Sequence, residues 1–222
     1  MKHMICRAFS LLLCVCVLCV SVSAYTIIPV DKSTSFSETL LEKEKVSSWA
    51  KGEVDEAWRA GLVTEHTSEY ITKDISRFQF AELIVNMTEK VTGKKITPAA
   101  ADTFTDCSET AVLKAYAAGI VNGKSEDIFD PDDNCTREQI AAMIHRAWKY
   151  IGEETGCTVP TDSRAFRNYT DKSKVSSYAV EAVGVLATCG VMKGVSDTQL
   201  SPKGSCTVEM CILLIYRLYQ RF

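Results

Sequence analysis

The chain has 222 residues, of which 46% are hydrophobic and 24% are charged, and its formal net charge at pH 7 is −3. This composition is typical of a folded protein with an apolar core, and it excludes the collagen-like and intrinsically disordered classes. A small negative charge argues against nucleic acid as a partner and against electrostatic docking on an anionic surface. Any anionic ligand must therefore be held by local positive groups.

The first 24 residues differ from the rest and predict a secretory signal peptide. Lys2 and Arg7 precede an apolar run over residues 8–20, and Val22-Ser23-Ala24 follows it. A charged start, an apolar centre and a small-residue cleavage site are the three parts of such a peptide. A membrane anchor is the alternative, but the run is shorter than the roughly 20 residues that span a bilayer. Cleavage removes two basic residues and no acid, which changes the net charge from −3 to −5. We expect a secreted protein without membrane contact after cleavage.

Six cysteines lie beyond residue 24, and the sequence permits two interpretations of them. An even number in a secreted protein is compatible with disulfides, although the sequence does not choose between the pairings. The alternative is buried free thiols that act as small apolar residues. None of these six forms a CxxC or CxxH pair, so we expect no metal site. The six are Cys107, Cys135, Cys157, Cys189, Cys206 and Cys211.

Alignment of the chain with itself shows three copies of one pattern. The segment VSSWA at residues 46–50 recurs as VSSYA at residues 175–179. In each copy a glycine followed by an aliphatic residue ends the first helix, where a left-handed cap is expected. From each glycine, 15 to 17 residues of polar, turn-rich sequence lead to a serine or threonine that starts a second helix. The glycines are Gly61, Gly119 and Gly190, and the helix starts are Ser76, Thr136 and Thr207.

The second helix of each copy carries apolar residues at i, i+3, i+4, i+7 and i+11, which gives one apolar face. One helix pair cannot bury such a face alone, so we predict an all-α fold of three packed helix-loop-helix repeats. The predicted boundaries are 25–45 for an N-terminal lead segment and 46–92, 104–152 and 166–222 for the repeats. The faces are Phe80, Leu83, Ile84, Met87 and Val91; Ile140, Met143, Ile144, Ala147 and Ile151; and Cys211, Leu214, Ile215, Leu218 and Phe222.

The second helix of the middle copy begins with a charge in an unfavourable place. Thr136 and Gln139 have the spacing of a capping box, so Arg137 lies in the first helical turn, where the helix dipole disfavours a cation. In one interpretation, the free N–H groups of the helix start and the guanidinium together bind a carboxylate. In the other, the guanidinium pairs with the neighbouring acids Asp132, Asp133 and Glu138.

These motifs resemble those of the S-layer homology family. The middle copy has FTD at 104–106, AGIVNG at 118–123, FDP at 129–131 and TREQ at 136–139. They look like the family's FxD opening, GI-x-x-G turn, F-x-P loop and TRAE motif. The third copy keeps YTD at 169–171, YA at 178–179, GVMKG at 190–194 and LSP at 200–202. The first keeps WA at 49–50, GL at 61–62 and SR at 76–77. The resemblance implies three tandem repeats in a pseudo-threefold all-α bundle.

The resemblance also implies a function. Triplets of this family attach secreted proteins to the bacterial cell wall by binding secondary wall polysaccharide, often with pyruvate ketals, in grooves between repeats. Carried over by position, the glycan-binding residues are Trp49, Arg77, Asp106, Arg137, Asp171 and Tyr178. Because the sequence stops at the last apolar residue of the third copy, we expect the protein either to recruit another surface protein as a partner, to coat the wall itself, or to be a minimal anchor. The alternative is a structural or protein-interaction module without glycan binding.

Catalysis is not indicated by any part of the sequence. No nucleophile, metal or phosphate-loop motif is present, so we expect neither an enzyme nor a cofactor.

The three copies differ where the ligand would bind. The third has Val208 in place of the arginine and Met210 in place of the capping glutamine, and the middle one lacks the aromatic-Ala segment. In the first copy Phe78 replaces the usual small residue of the motif. We expect at most two working grooves, with Arg77 and Arg137 as their basic groups.

Overall fold

Short and long helices alternate along the chain, as the repeat pattern predicts. The computed structural model describes residues 46–222, and the predicted signal peptide and lead segment lie outside this range. The short helices are α1 (Lys51–Arg59), α3 (Thr110–Ala117) and α5 (Val180–Thr188), and the long ones are α2 (Arg77–Thr92), α4 (Arg137–Thr155) and α6 (Val208–Tyr219). Short 3₁₀ turns lie at Glu65–Thr67, Arg164–Asn168, Lys172–Lys174 and Ser177–Ala179.

All three long helices begin at the predicted caps. The hydroxyls of Ser76, Thr136 and Thr207 each accept a hydrogen bond from the backbone N–H three residues later. In α2 and α4 a glutamine side chain returns the bond, which completes a capping box. In α6 the corresponding residue is Met210, whose side chain offers no such acceptor, so its cap is one-sided.

Glycines end the short helices as predicted. Gly61, Gly119 and Gly190 have φ of 66°, 66° and 73°, the left-handed region in which a side chain is strained. Each turns the chain from its short helix into the loop that leads to the next long one.

The predicted apolar faces are buried except at the ends of the first and the third, because Val91 is only partly buried and Phe222 is exposed. Members from Phe80 to Met87, from Ile140 to Ile151 and from Cys211 to Leu218 are all at most 5% exposed. Phe222 is 43% exposed because α6 ends at Tyr219. The prediction that the third face extends to residue 222 is therefore wrong. Phe222 instead packs edge-on against the ring of Trp148.

Each short helix packs on the long helix of the preceding unit, and this pattern closes into a ring. α3 packs on α2, α5 packs on α4, and α1 packs on α6, which joins the first unit to the last. Three isolated backbone bridges link the residues just before the long helices: Asp74 with Thr207, Ser76 with Asn134, and Thr136 with Ser205. Residues 46–222 contain no strand beyond such bridges, so the predicted all-α class is confirmed.

Three further properties concern this same part of the chain. The six cysteines at positions 107 to 211 are free thiols, and Cys107, Cys135, Cys206 and Cys211 are buried. Within residues 46–222 no helix is both long and apolar enough to cross a bilayer. The same residues contain no group of three or more acidic, histidine or cysteine side chains placed to hold a metal.

Candidate functional site: two grooves between neighbouring units

The two arginines of the long helices are buried and bind backbone of the next unit. Arg77 and Arg137 are each 7% exposed, and each donates from Nε and Nη2 to two carbonyl oxygens. The partners of Arg77 are Phe129 at 2.8 Å and Asn122 at 2.9 Å, and those of Arg137 are Leu200 and Lys193, both at 2.8 Å. In the described chain neither guanidinium has an acid within salt-bridge distance, so Arg137 does not pair with its neighbouring acids.

The amides at the start of α4 are also occupied. The N–H of Arg137 donates to the carbonyl of Gly204 at 2.9 Å, and the N–H of Glu138 donates to that of Pro202 at 3.0 Å. The third N–H, that of Gln139, donates to the Thr136 hydroxyl. The expectation that this helix start presents free N–H groups to an anion is therefore wrong. Backbone carbonyls of the neighbouring unit, which is remote in sequence, occupy the position that the anion was expected to take.

The two FxD aspartates hold loops rather than facing a groove. Asp106 accepts the N–H groups of Phe129 and Asp130 at 2.9 and 2.6 Å, and Asp171 accepts those of Leu200 and Ser201. The Phe129 amide, with that of Asp130, lowers the pKa of Asp106. Because the carbonyls of Phe129 and Leu200 bind the arginines, each aspartate fixes the loop that anchors one guanidinium.

Two equivalent grooves run between the units, with volumes of about 360 and 350 Å³. All three units contribute to each groove. Together they supply a buried arginine, a glycine-containing loop, one face of a long helix and an exposed aromatic side chain. Groove 1 is lined by Arg77, Asn122, Gly123, Lys124, Gln139, Ala142, Met143, Arg146 and Tyr178. Groove 2 is lined by Arg137, Lys193, Gly194, Val195, Met210, Leu213, Leu214, Arg217 and Trp49.

A buried glutamate positions the aromatic side chain of each groove. Glu138 accepts hydrogen bonds from the Ser176 N–H at 2.9 Å and the Tyr178 hydroxyl at 3.1 Å, and pairs with Lys203. Glu209 likewise accepts from the N–H and hydroxyl of Ser47, two residues before Trp49. Burial and the nearby Glu138 carboxylate raise the pKa of Tyr178 to about 12, so the phenol stays neutral and donates.

The two grooves differ in the charge that they leave available. In groove 1 Arg146 donates from Nη1 to the carbonyl of Ile120 at 3.4 Å, and no acid of the described chain lies within salt-bridge distance of it. In groove 2 the equivalent Arg217 is bound by both oxygens of Glu53, at 2.6 and 2.7 Å. Lys124 of groove 1 is itself paired with Asp130 and Asp133. The partly exposed guanidinium of Arg146 in groove 1 therefore has no acid partner in the described chain, whereas that of Arg217 in groove 2 is paired.

The third equivalent position has the opposite charge. Where the grooves have Ala142 or Leu213, α2 has Glu82, which accepts from the Thr64 hydroxyl and faces His66 at 3.0 Å. Where they have an arginine in the long helix, α2 has Asn86, and the buried arginine is replaced by Val208. This position is not built to hold an anion.

The family model of the S-layer homology domain matches residues 105–141 and 168–207. Two segments of this chain match the S-layer homology domain. Together they include the glycine-containing loops of both grooves and the start of α4, together with Asp106, Arg137, Asp171 and Tyr178. Trp49, Arg77 and the rest of the first unit lie outside the matched segments, although that unit has the same caps and glycine turn.

The known proteins that are similar to this chain are much longer than it, and the chain matches only a part of each. The chain is 30% identical over 190 residues to an endoglucanase of Bacillus sp. (strain KSM-635), a match that covers 83% of this chain and 19% of that protein. It is 25% identical over 189 residues to an amylopullulanase of Thermoanaerobacterium thermosulfurigenes, covering 78% and 9%. It is 28% identical over 120 residues to exoglucanase XynX of Acetivibrio thermocellus, covering 52% and 10%. The chain thus spans less than a fifth of each relative's length.

The structure gathers four of the six predicted site residues into grooves and adds others. Arg77 and Tyr178 line groove 1, Arg137 and Trp49 line groove 2, and the two aspartates line neither. Sequence reasoning missed Arg146 and Arg217, the two guanidinium groups at the groove edges. The repeat alignment contained a signal for them, because both lie at the same position of the internal repeat, 71 residues apart.

Proposed function

We propose that this protein attaches non-covalently to anionic secondary wall polysaccharide at the bacterial cell surface, with a pyruvate ketal as the recognised group. It is secreted and acts as an anchor rather than an enzyme. S-layer homology domains bind cell-wall polysaccharide, and the named relatives are polysaccharide-degrading enzymes of which this chain matches a small part. In this proposal residues 46–92 are a third, diverged repeat, because they complete both grooves.

The observation that carries the proposal is the guanidinium of Arg146 in groove 1. It lies partly exposed near Tyr178, on an acidic protein, with no carboxylate of the described chain in ion-pair distance. A planar fork of N–H donors fits a carboxylate such as that of a pyruvate ketal. Arg77 and Arg137 form the groove floors, Tyr178 and Trp49 form the edges, and Asp106 and Asp171 fix the loops between them.

Co-sedimentation with purified walls that carry pyruvylated polysaccharide tests the proposal. We expect Arg146→Gln to weaken wall binding about ten- to a hundredfold, because a hydrogen bond to a charged group contributes about 1.5–3 kcal/mol. The matched control is Lys149→Gln, which removes one positive charge three residues further along α4, where the ammonium faces Glu181 rather than groove 1. The control variant keeps the parent's binding.

Two treatments of the walls separate the proposal from its alternative. Mild acid, which hydrolyses pyruvate ketals, and removal of the whole polysaccharide should each abolish binding. Unchanged binding to stripped walls would overturn the glycan proposal and favour a protein partner. Binding lost with the polysaccharide but retained after mild acid would reject the ketal alone.

A further inference from the structure

Groove 2 contains a carboxylate of the chain itself at the place where groove 1 has none. Glu53 of α1 binds Nε and Nη2 of Arg217 with its two oxygens, in the side-by-side geometry that a ligand carboxylate would adopt. The two side chains belong to the first and the last unit, 164 residues apart in sequence. They meet only because α1 packs on α6.

The internal repeat supplies the matched comparison. VSSWA at 46–50 aligns with VSSYA at 175–179, so Glu53 of α1 corresponds to Ala182 of α5. In groove 1 a buried methyl group thus stands where groove 2 has the carboxylate. The nearest acid of α5, Glu181, lies one residue earlier and pairs with Lys149 at 3.2 Å. Arg217 is paired with a carboxylate and Arg146 is not, and this difference follows from one residue on the short helix that packs on each long helix.

We infer that Glu53 is a specificity-determining residue, an internal carboxylate that occupies the anion position of groove 2 and leaves groove 1 as the single carboxylate site. This inference rests on the proposed function, since it takes the ligand to be a carboxylate-bearing sugar. Glu53 is covalently part of the protein, so its effective concentration at Arg217 is of the order of millimolar or more. A free ligand must displace it, and the net negative charge of the protein opposes a second carboxylate beside it.

The ion pair is about one-third exposed on the glutamate side, so it is a competitor for the site rather than a major source of stability. Removing the charge of Glu53 should therefore release Arg217 without unfolding the protein. The groove that results has the same elements as groove 1: a buried arginine, a free guanidinium and an exposed aromatic ring.

Calorimetric titration with a monovalent probe measures the number of sites. The probe is the methyl glycoside of a 4,6-O-pyruvylated N-acetylhexosamine, and its ketal-free form is the neutral control. We expect one site in the parent and two in Glu53→Gln, the second within about tenfold of the first in affinity. Glu53→Ala, which copies the residue of groove 1, gives the same result. Glu56→Gln removes a charge from the same helix, where the carboxylate pairs with Arg59, and keeps one site.

The double variant Glu53→Gln/Arg217→Gln assigns the new site to Arg217 and should return the count to one. One site in the parent and one in both Glu53 variants, with unchanged melting temperatures, overturns the inference and leaves the proposed function standing. Two sites in the parent also overturn it, because groove 2 is then already open. No site in the parent and one in the variants overturns the inference as stated, because groove 1 is then not a carboxylate site, although Glu53 still blocks groove 2. No site in any form rejects both.

Discussion

At the residue scale, the arginine at the start of a long helix is explained by distant backbone. The dipole of α4 disfavours a cation at residue 137, yet the guanidinium reaches across to two carbonyls of the third unit. Arg77 does the same to the middle unit and also lies over the ring of Phe129, 4.5 Å from its centroid. In the third copy Val208 is buried at this position and makes no such link, so the ring has two guanidinium ties of this kind in its described part.

Replacing Arg137 should therefore lower the stability of the fold, whatever its effect on ligand binding. We expect Arg137→Ala to lower the free energy of unfolding by about 3 kcal/mol, because the carbonyls of Leu200 and Lys193 lose their donors inside the protein. Urea unfolding measures the change. Arg59→Ala, at an exposed pair with Glu56, is the control and should change it by less than about 1 kcal/mol. Equal effects of the two substitutions would contradict the role assigned to Arg137. Loss of wall binding in Arg137→Ala would not by itself demonstrate a ligand contact.

At the element scale, glycines decide where the short helices stop. Gly119 has φ of 66° and open space around its Cα, so only backbone strain separates it from alanine. Gly52 lies in the first turn of α1 and is equally open, but it has an ordinary negative φ, so an added methyl group would be unstrained. The two positions thus isolate backbone conformation from packing.

Alanine at these two glycines should change stability in opposite directions. We expect Gly119→Ala to lower the free energy of unfolding by about 1 kcal/mol, because its left-handed conformation is strained for a residue with a Cβ. Gly52→Ala should raise it by about 0.5 kcal/mol, because alanine is the better helix former. Thermal melting of both variants against the parent tests the pair. A melting temperature lowered equally by both would show that crowding rather than conformation acts at residue 119.

At the scale of the whole molecule, two of the three units hold the start of the next through a buried glutamate. Glu138 of the second unit binds Ser176 of the third, and Glu209 of the third binds Ser47 of the first. The first unit has Phe78 instead, and the second unit is the one that lacks the aromatic-Ala segment. Phe78 packs edge-on against His66 of its own unit, with ring centroids 4.9 Å apart. The substitution at residue 78 and the shortened middle copy thus remove the two partners of a single contact, the one that Glu138 and Glu209 make in the other two pairs of units.

The Glu138 contact predicts a pH dependence of stability. Burial would raise the pKa of Glu138, but the Lys203 ammonium and the Ser176 N–H outweigh it and hold this pKa below the usual value of 4.5. The contribution is therefore complete above about pH 4.5 and is lost as the pH falls through the lower folded value. Urea unfolding between pH 3 and 7 should show a steeper acid loss of stability in the parent than in Glu138→Gln. Parallel curves would exclude Glu138 as the source.

The sequence by itself determined the local structure of this protein. Hydroxyl caps at residues 76, 136 and 207, glycines at 61, 119 and 190, and apolar residues at helical spacing depend on neighbours a few positions away. Their consequences, including the one-sided cap of α6, could be read without a fold. The exposed end of the third apolar face at Phe222 could not, because the helix stops before it.

Only the tertiary structure decided which charged groups remain available to a ligand. Arg137 reaches carbonyls 56 and 63 residues away, and Arg217 meets a glutamate 164 residues away because the ring closes between α1 and α6. Arg146 is equivalent to Arg217 in the repeat, but the residue of α5 that corresponds to Glu53 is Ala182, and no carboxylate of the described chain pairs with Arg146. Two charged groups form an ion pair only when they are close in space. The repeat alignment shows that Arg146 and Arg217 are equivalent, but it does not show which side chain lies beside each of them.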